Sequence, residues 1–226
     1  MKVMRFTVKS LSPGMLQDPS TAELLENLRL GNRPQKRTDW TVEEECGTKF
    51  YRSETGRMGV PVHCLIACFV DAGRHVKVGK KQISTAESTI LFDFLEFPED
   101  FCEFLDGDDK GNVPWRPFLS KGNLKNKGTK TAVCLTRPRI AHWRMRFSVI
   151  FDDLRGVTED TVIKLVETAG RKAGLGNWRP NTKGRFGRFT IEKLETAPVK
   201  RAVEEMAKVE YTEADAPKEM LELVTA

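Results

Sequence analysis

Arg139-Ile140-Ala141-His142-Trp143-Arg144-Met145-Arg146-Phe147-Ser148-Val149-Ile150-Phe151 is the stretch on which the fold turns. Trp143, Met145, Phe147, Val149 and Phe151 fall on one side of a period of two, and His142, Arg144, Arg146 and Ser148 on the other. Strict alternation of this kind predicts a strand with one face buried and one face polar. Downstream, Thr158 precedes Glu159 and Asp160, a helix cap followed by acids in the first turn. Val162, Ile163, Leu165 and Val166 form the apolar stripe of that helix, which Gly170 or Gly174 closes. Phe186 to Leu194 reads as the last strand.

Upstream, Met4, Phe6 and Val8 alternate with Val3, Arg5, Thr7 and Lys9, which predicts a first strand. Gly59-Val60-Pro61 opens a helix, with proline in the first turn where its missing N–H costs nothing. Val62, Leu65, Ile66, Phe69 and Val70 carry it to Gly73, and Thr89 to Phe97 alternates as a further strand. The order is therefore strand, helix, strand, strand, helix, strand. That βαββαβ order predicts an α+β, ferredoxin-like (RRM-like) domain: a four-stranded antiparallel sheet with two helices on one face.

The connections are less regular. Thr21 to Leu30 has a short helical pattern, Asn32 to Trp40 reads as a basic loop, Thr48 to Arg52 as a short strand or hairpin arm, and Lys77 to Gln82 as a basic turn. Residues 98–136 form a long, thumb-like insertion between the two central strands, acidic first and basic after. The expected organisation is one domain over 1–196 and an acidic, helix-prone tail over 197–226.

Charge points to a partner. The chain of 226 residues carries a net charge of +5. The tail holds four basic residues against seven acidic ones, which leaves the first 196 residues at +8. From Lys110 to Phe151 there is no acidic residue, while Lys110, Arg116, Lys121, Lys125, Lys127, Lys130, Arg137, Arg139, Arg144 and Arg146 all fall there. Such a run repels itself unless an anion neutralises it, and a nucleic-acid backbone does so while releasing counterions. The longest apolar run, Val60 to Val70, is interrupted by Pro61 and His63 and is shorter than the roughly 20 residues of a membrane span. With no signal-peptide pattern at the N-terminus, a cytoplasmic protein without a membrane partner is expected.

The second basic segment runs Gly170-Arg171-Lys172-Ala173-Gly174-Leu175-Gly176-Asn177-Trp178-Arg179-Pro180-Asn181-Thr182-Lys183-Gly184-Arg185-Phe186-Gly187-Arg188-Phe189. Its five glycines suit a loop with exposed amides that cradle an anion, and serve no core. Arg171, Lys172, Arg179, Lys183, Arg185 and Arg188 can meet phosphates, and Trp178 and Phe186 can stack on bases. Gly174, Gly176, Gly184 and Gly187 would let a backbone approach closely. Lys121, Lys125, Lys127, Lys130, Arg144 and Arg146 would supply a second wall. A dinucleotide loop is excluded, because Arg179 stands where the third glycine of GxGxxG belongs and the loop precedes a strand.

A helix, Gly174-Leu175-Gly176, a basic loop, then Gly184-Arg185-Phe186-Gly187-Arg188-Phe189 entering a final strand resembles the glycine-rich loop of the RAMP superfamily, the CRISPR-associated RNA-binding proteins. The resemblance is specific over about twenty residues, and the βαββαβ order extends it over 1–195. It implies RNA binding by the loop, a thumb-like extension at 98–136 and a place in a multi-subunit ribonucleoprotein or a homo-oligomer. Asn177-Trp178-Arg179-Pro180 departs from the commonest loop pattern, which points to a divergent relative, phage- or plasmid-encoded proteins included, with single-stranded DNA as another ligand.

Catalysis has thin support. Metal-independent RNA cleavage needs a general base, for which His75, beside Arg74 and Lys77, and His142, beside Arg144, are the candidates. His63 belongs to an apolar helix and is expected to be packed. The five cysteines include no CxxC pair; Cys64 and Cys68 are expected as buried thiols, and neither a metal nor a cofactor is expected. The reading is thus a binder of single-stranded or guide RNA. Two alternatives remain: an endoribonuclease of the same fold, and a viral protein that imitates or inhibits an RNA-binding complex through protein contacts.

Overall fold

The computed structural model describes residues 1–19, 29–31, 39–126, 129–152 and 156–199, with backbone alone for 123–126 and 129–131. The elements in chain order are β1 (Lys2–Ser10), β2 (Met15–Leu16), α1 (Val42–Gly47), β3 (Gly59–Pro61), α2 (Val62–Gly73), β4 (Lys77–Val78), β5 (Lys81–Gln82), β6 (Leu95–Glu96), β7 (Phe101–Glu103), β8 (Arg116–Asn126), β9 (Thr129–Ile140), β10 (Arg144–Phe151), α3 (Glu159–Thr168) and β11 (Phe189–Pro198). The principal sheet runs β11-β1-β10-β6, and every neighbouring pair in it is antiparallel.

Alternation governs that sheet. Met4, Phe6 and Val8 of β1 and Met145, Phe147, Val149 and Phe151 of β10 are all buried, while Lys9, Arg144 and Arg146 on the opposite face are exposed. Phe6 sits opposite Phe147 in register and their rings stack at 5.4 Å. Phe69 of α2 meets Phe147 edge-on at 5.9 Å. Each such buried phenyl ring contributes about 1.5–3 kcal/mol. Helix α3 starts as its cap predicts: the Thr161 amide donates to Thr158 Oγ1 at 3.3 Å, and Val162, Leu165 and Val166 are buried. The chain is α+β, with antiparallel sheets predominating over helices among the described residues.

Several boundaries differ from the sequence reading. Thr89 to Phe97 is not one strand. Leu91–Asp93 make a 3-10 turn and only Leu95–Glu96 pair with β10. The buried residues there are Leu91, Phe94 and Leu95, a helical i, i+3, i+4 set, while Phe92 is 58% exposed. Arg139 to Phe151 is two strands. β9 ends at Ile140, paired with Met15, and β10 begins at Arg144, paired with Lys9. The alternation changes phase across the break: Thr136, Pro138 and Ile140 are buried before it, and Trp143, Met145 and Phe147 after it. The last strand begins at Phe189 rather than Phe186, because the Phe186 and Gly187 amides donate to Trp178 and Gly14 carbonyls instead of to the sheet. Pro61 ends an extended segment paired with β7 and caps α2, which starts at Val62. His63 is exposed, not packed.

The described residues of the region 98–136 are organised by strand pairing. β7 lies on β3, and β8 and β9 form a long hairpin to which β2 adds, giving the order β2-β9-β8. The helical pattern over 21–28, most of the loop over 32–38, Lys127, and the tail from residue 200 onward lie outside the described residues.

Candidate nucleic-acid interface

The loop after α3 is shaped by backbone packing. A π-helical turn, Ala169–Ala173, extends α3 and ends at Gly174. Gly187 then adopts φ +74°, and a Cβ there would strike the Leu175 carbonyl. Its amide donates to Gly14 O at 2.7 Å, and its carbonyl accepts from Leu175 N at 2.9 Å. The Asn177 amide donates to Leu16 O at 2.9 Å, and the Leu11 amide to Arg188 O at 2.8 Å. Gly176 lies against the Leu16 carbonyl and Gly184 against that of Trp178, with no room for a side chain. The glycines therefore do serve packing, contrary to the expectation from the sequence. The amides of Gly174, Leu175, Asn177, Gly184, Phe186 and Gly187 are bound to protein carbonyls and are not an open anion cradle.

What the loop presents is side chains. Trp178 is held at φ +50°, a conformation bulky residues rarely adopt, and is 38% exposed. Phe118 of β8 packs edge-on against Trp178 at 5.9 Å and against Phe186 at 5.2 Å. The Arg137 guanidinium lies 5.9 Å from the Trp178 ring centroid and donates from Nε to Asp18 Oδ2 at 2.9 Å. Phe186 is buried, so only Trp178 of the two loop aromatics is open to a base.

The cations divide into four groups. Arg171, Lys172, Lys183, Arg185 and Arg188 are exposed and make no ion pair with a described residue. Lys121 on β8 is exposed as well, opposite Cys134. Arg179 turns inward: Nη2 is 3.5 Å from Asp71 Oδ2, Nη1 donates to Gly176 O at 3.4 Å, and Nε is buried without an acceptor. Arg144 and Arg146 lie on the outer sheet face. Arg144 donates to Asp106 Oδ1 from Nε at 2.8 Å and from Nη2 at 2.6 Å, with Glu192 3.6 Å away. Asp106 raises the already high pKa of that guanidinium. Lys125 and Lys130 oppose each other on the hairpin backbone, and their side chains lie outside the described residues.

His75 follows α2 and His142 occupies the turn between β9 and β10, both exposed and on separate elements. No cluster of three or more metal-ligating side chains is present among the described residues. None of the described helices is long and apolar enough to cross a membrane.

With this geometry in view, comparison with known proteins adds little. No protein-family model matches the chain, and no characterised protein sequence matches it. One solved structure with a partial likeness is a chain of the cryo-EM structure of the type III-B Cmr-beta bound to cognate target RNA. The TM-score is 0.44 at 10% identity, and the match covers 87% of this chain and 61% of that one.

Phe118 and Asp71 are the candidate-site residues that the sequence reading missed. Phe118 is an unremarkable aromatic in a strand, and nothing local pairs it with a loop so far along the chain. The lack of acids from Lys110 to Phe151 was the only signal that this hairpin belongs with the loop.

Proposed function

We propose that this protein binds single-stranded nucleic acid, RNA foremost, on a surface formed by the loop from Arg171 to Arg188 and the β8–β9 hairpin. The observation that carries the reading is the packing of Phe118 against Trp178 and Phe186, which joins the two acid-free basic segments. The same two segments carry Arg171, Lys172, Lys183, Arg185, Arg188 and Lys121, exposed and without ion pairs to described residues. Gly174, Gly176, Gly184 and Gly187 act by setting the loop's shape. Trp178 supplies the stacking platform, and the cations supply the phosphate contacts.

The scaffold fits the ferredoxin-like type. Its four strands stand in the spatial order last, first, third, second, with α2 following the first strand and α3 the third. That arrangement, with a glycine-rich basic loop between the last helix and last strand, supports kinship with the RAMP superfamily and a role within a ribonucleoprotein. Arg144 contributes less than the loop cations, because Asp106 and Glu192 already occupy it, and Arg146 lies on the same outer sheet face.

Fluorescence anisotropy with labelled RNA and DNA oligonucleotides tests the reading. Binding should be strongest to single strands and should weaken steeply with salt. The absence of measurable binding to either nucleic acid at low salt overturns it.

A further inference from the structure

Asp71, near the end of α2, ties two basic elements together. Its Oδ2 accepts the Asn181 side-chain amide at 2.6 Å and faces Arg179 Nη2 at 3.5 Å, while Oδ1 lies 4.0 Å from Arg74 Nη2. Asn181 belongs to the 3-10 turn Pro180–Thr182 at the crest of the glycine-rich loop, directly before the exposed Lys183. Arg74 is the first residue after α2 and leads into the β4–β5 hairpin.

That hairpin is small, cationic and firmly rooted. Lys77 pairs with Gln82 and Val78 with Lys81. Below the pairs, the Ile83 amide donates to Val76 O at 3.0 Å, and both side chains are buried in the core. The Ser84 amide donates to Gly73 O at 3.1 Å, and Gly73 leaves no space between α2 and Ser84. Above the root, Arg74, His75, Lys77, Lys80 and Lys81 are all exposed. No acid occurs in the sequence between Asp71 and Glu87. Lys77, Lys80 and Lys81 make no hydrogen bond or ion pair through their side chains with a described residue. A helix C-terminus attracts cations, which accounts for Arg74 at the C-cap of α2. The effect fades within a turn and does not account for the three lysines beyond it.

We propose that the β4–β5 hairpin is a second phosphate-contacting element, so that a bound single strand passes from Lys183 and Arg185 across the Asp71 junction to Lys77, Lys80 and Lys81. This inference rests on the nucleic-acid reading above and extends the contact surface beyond the loop and the β8–β9 hairpin. A phosphate backbone suits the arrangement because it carries a regular charge that cations on two elements can meet in turn, and each contact releases a counterion.

The test is the salt dependence of binding of a labelled single-stranded oligouridylate by the full chain. Three proteins are compared: the parent, K77Q/K80Q/K81Q, and K183Q/R185Q. Each neutralised phosphate contributes about 0.7 to the slope of log affinity against log salt for a single strand. The triple variant should bind about tenfold or more weakly at low salt, with a slope shallower by about 2. The loop variant should lose about 1.4 of slope. K80E alone, at the exposed turn, should weaken binding without altering the melting temperature, which separates the effect from misfolding. A triple variant with parental affinity and slope, beside a weakened loop variant, overturns the hairpin's role and leaves the proposed function standing. Failure of the parent to bind overturns the proposed function itself. An acidic polypeptide that binds the parent and is lost in the triple variant, with oligouridylate binding unchanged, also overturns the proposal.

Discussion

Phe118 of β8 and Trp178 of the loop before β11 meet edge to face with ring centroids 5.9 Å apart. Trp178 holds this position with a left-handed backbone, φ +50°. For an L-residue that conformation costs about 1–2 kcal/mol. Replacing Trp178 therefore separates backbone strain from ligand stacking. Trp178→Ala and Trp178→Gly should both lose about 1–3 kcal/mol of single-strand affinity, the worth of one stacked base. The glycine variant should be the more stable of the two by about 1 kcal/mol, since it tolerates the backbone. Anisotropy titration and urea denaturation together read the two effects; equal affinity in parent and variants would remove Trp178 from the interface.

Asp71 should prove structural for the loop. Its side chain is 15% exposed and faces Arg179, Asn181 and Arg74. Asp71→Ala leaves the Arg179 guanidinium half-buried beside acceptors too few for it, and should destabilise the fold by about 1–3 kcal/mol. Arg179→Ala should likewise act on stability before it acts on binding. Denaturation midpoints check this, with Arg185→Ala as the contrasting exposed arginine that weakens binding and shifts stability by less than about 0.5 kcal/mol.

Gly184 and Gly187 have the least room for a methyl group of the loop glycines. At Gly187, φ +74° combines with the Leu175 carbonyl, and at Gly184 the Trp178 carbonyl fills the position of a Cβ. Gly184→Ala and Gly187→Ala should each cost about 2–4 kcal/mol. A thermal melt unchanged in either variant would show that the loop has another backbone path.

Buried protic groups set an alkaline limit. Burial pushes the Cys68 and Cys102 thiols and the Tyr51 hydroxyl up to about 12. The unfolded chain releases these protons at lower pH than the folded chain does, so above about pH 8.5 unfolding is favoured increasingly. Stability should be full near neutrality and fall as pH rises from there towards 12, as urea midpoints near neutrality and at about pH 10 would show. The same burial should protect Cys68 and Cys102 from alkylation in the native protein, whereas exposed Cys134 should be modified first. Peptide mass mapping reads the order.

Legibility followed the range of the interactions. The β1 and β10 faces and helix α3 were readable because each is declared by its own residues: alternation at Met4, Phe6 and Val8, and the Thr158 cap before Val162 and Leu165. The strand read over Thr89 to Phe97 failed because a short apolar run such as Leu91, Phe94 and Leu95 suits a tight turn as well as a strand. The single strand read over Arg139 to Phe151 failed for a different reason. A single period-two face would place Ile140 with the exposed His142 and Arg144, yet Ile140 is buried, because the phase resets where the chain passes from pairing with β2 at Ile140 to pairing with β1 at Arg144. Among candidate site residues, Arg171, Lys172, Lys183, Arg185 and Arg188 were legible as a basic cluster. The inward turn of Arg179 was not, since its partner Asp71 lies in another helix.

The amino-acid sequence by itself determined that the chain is α+β, that its basic residues gather in two acid-free segments, and that a glycine-rich loop stands between the last helix and the last strand. Those are local properties, carried by periodicity, capping and charge along the chain. Only the tertiary structure decided that the glycines serve backbone packing against Gly14 and Leu16, that Phe118 joins the hairpin to the loop, and that Asp71 links the loop to a third basic element. Each depends on groups far apart in the chain meeting at contact distance, and such a meeting leaves no mark on the residues beside either one.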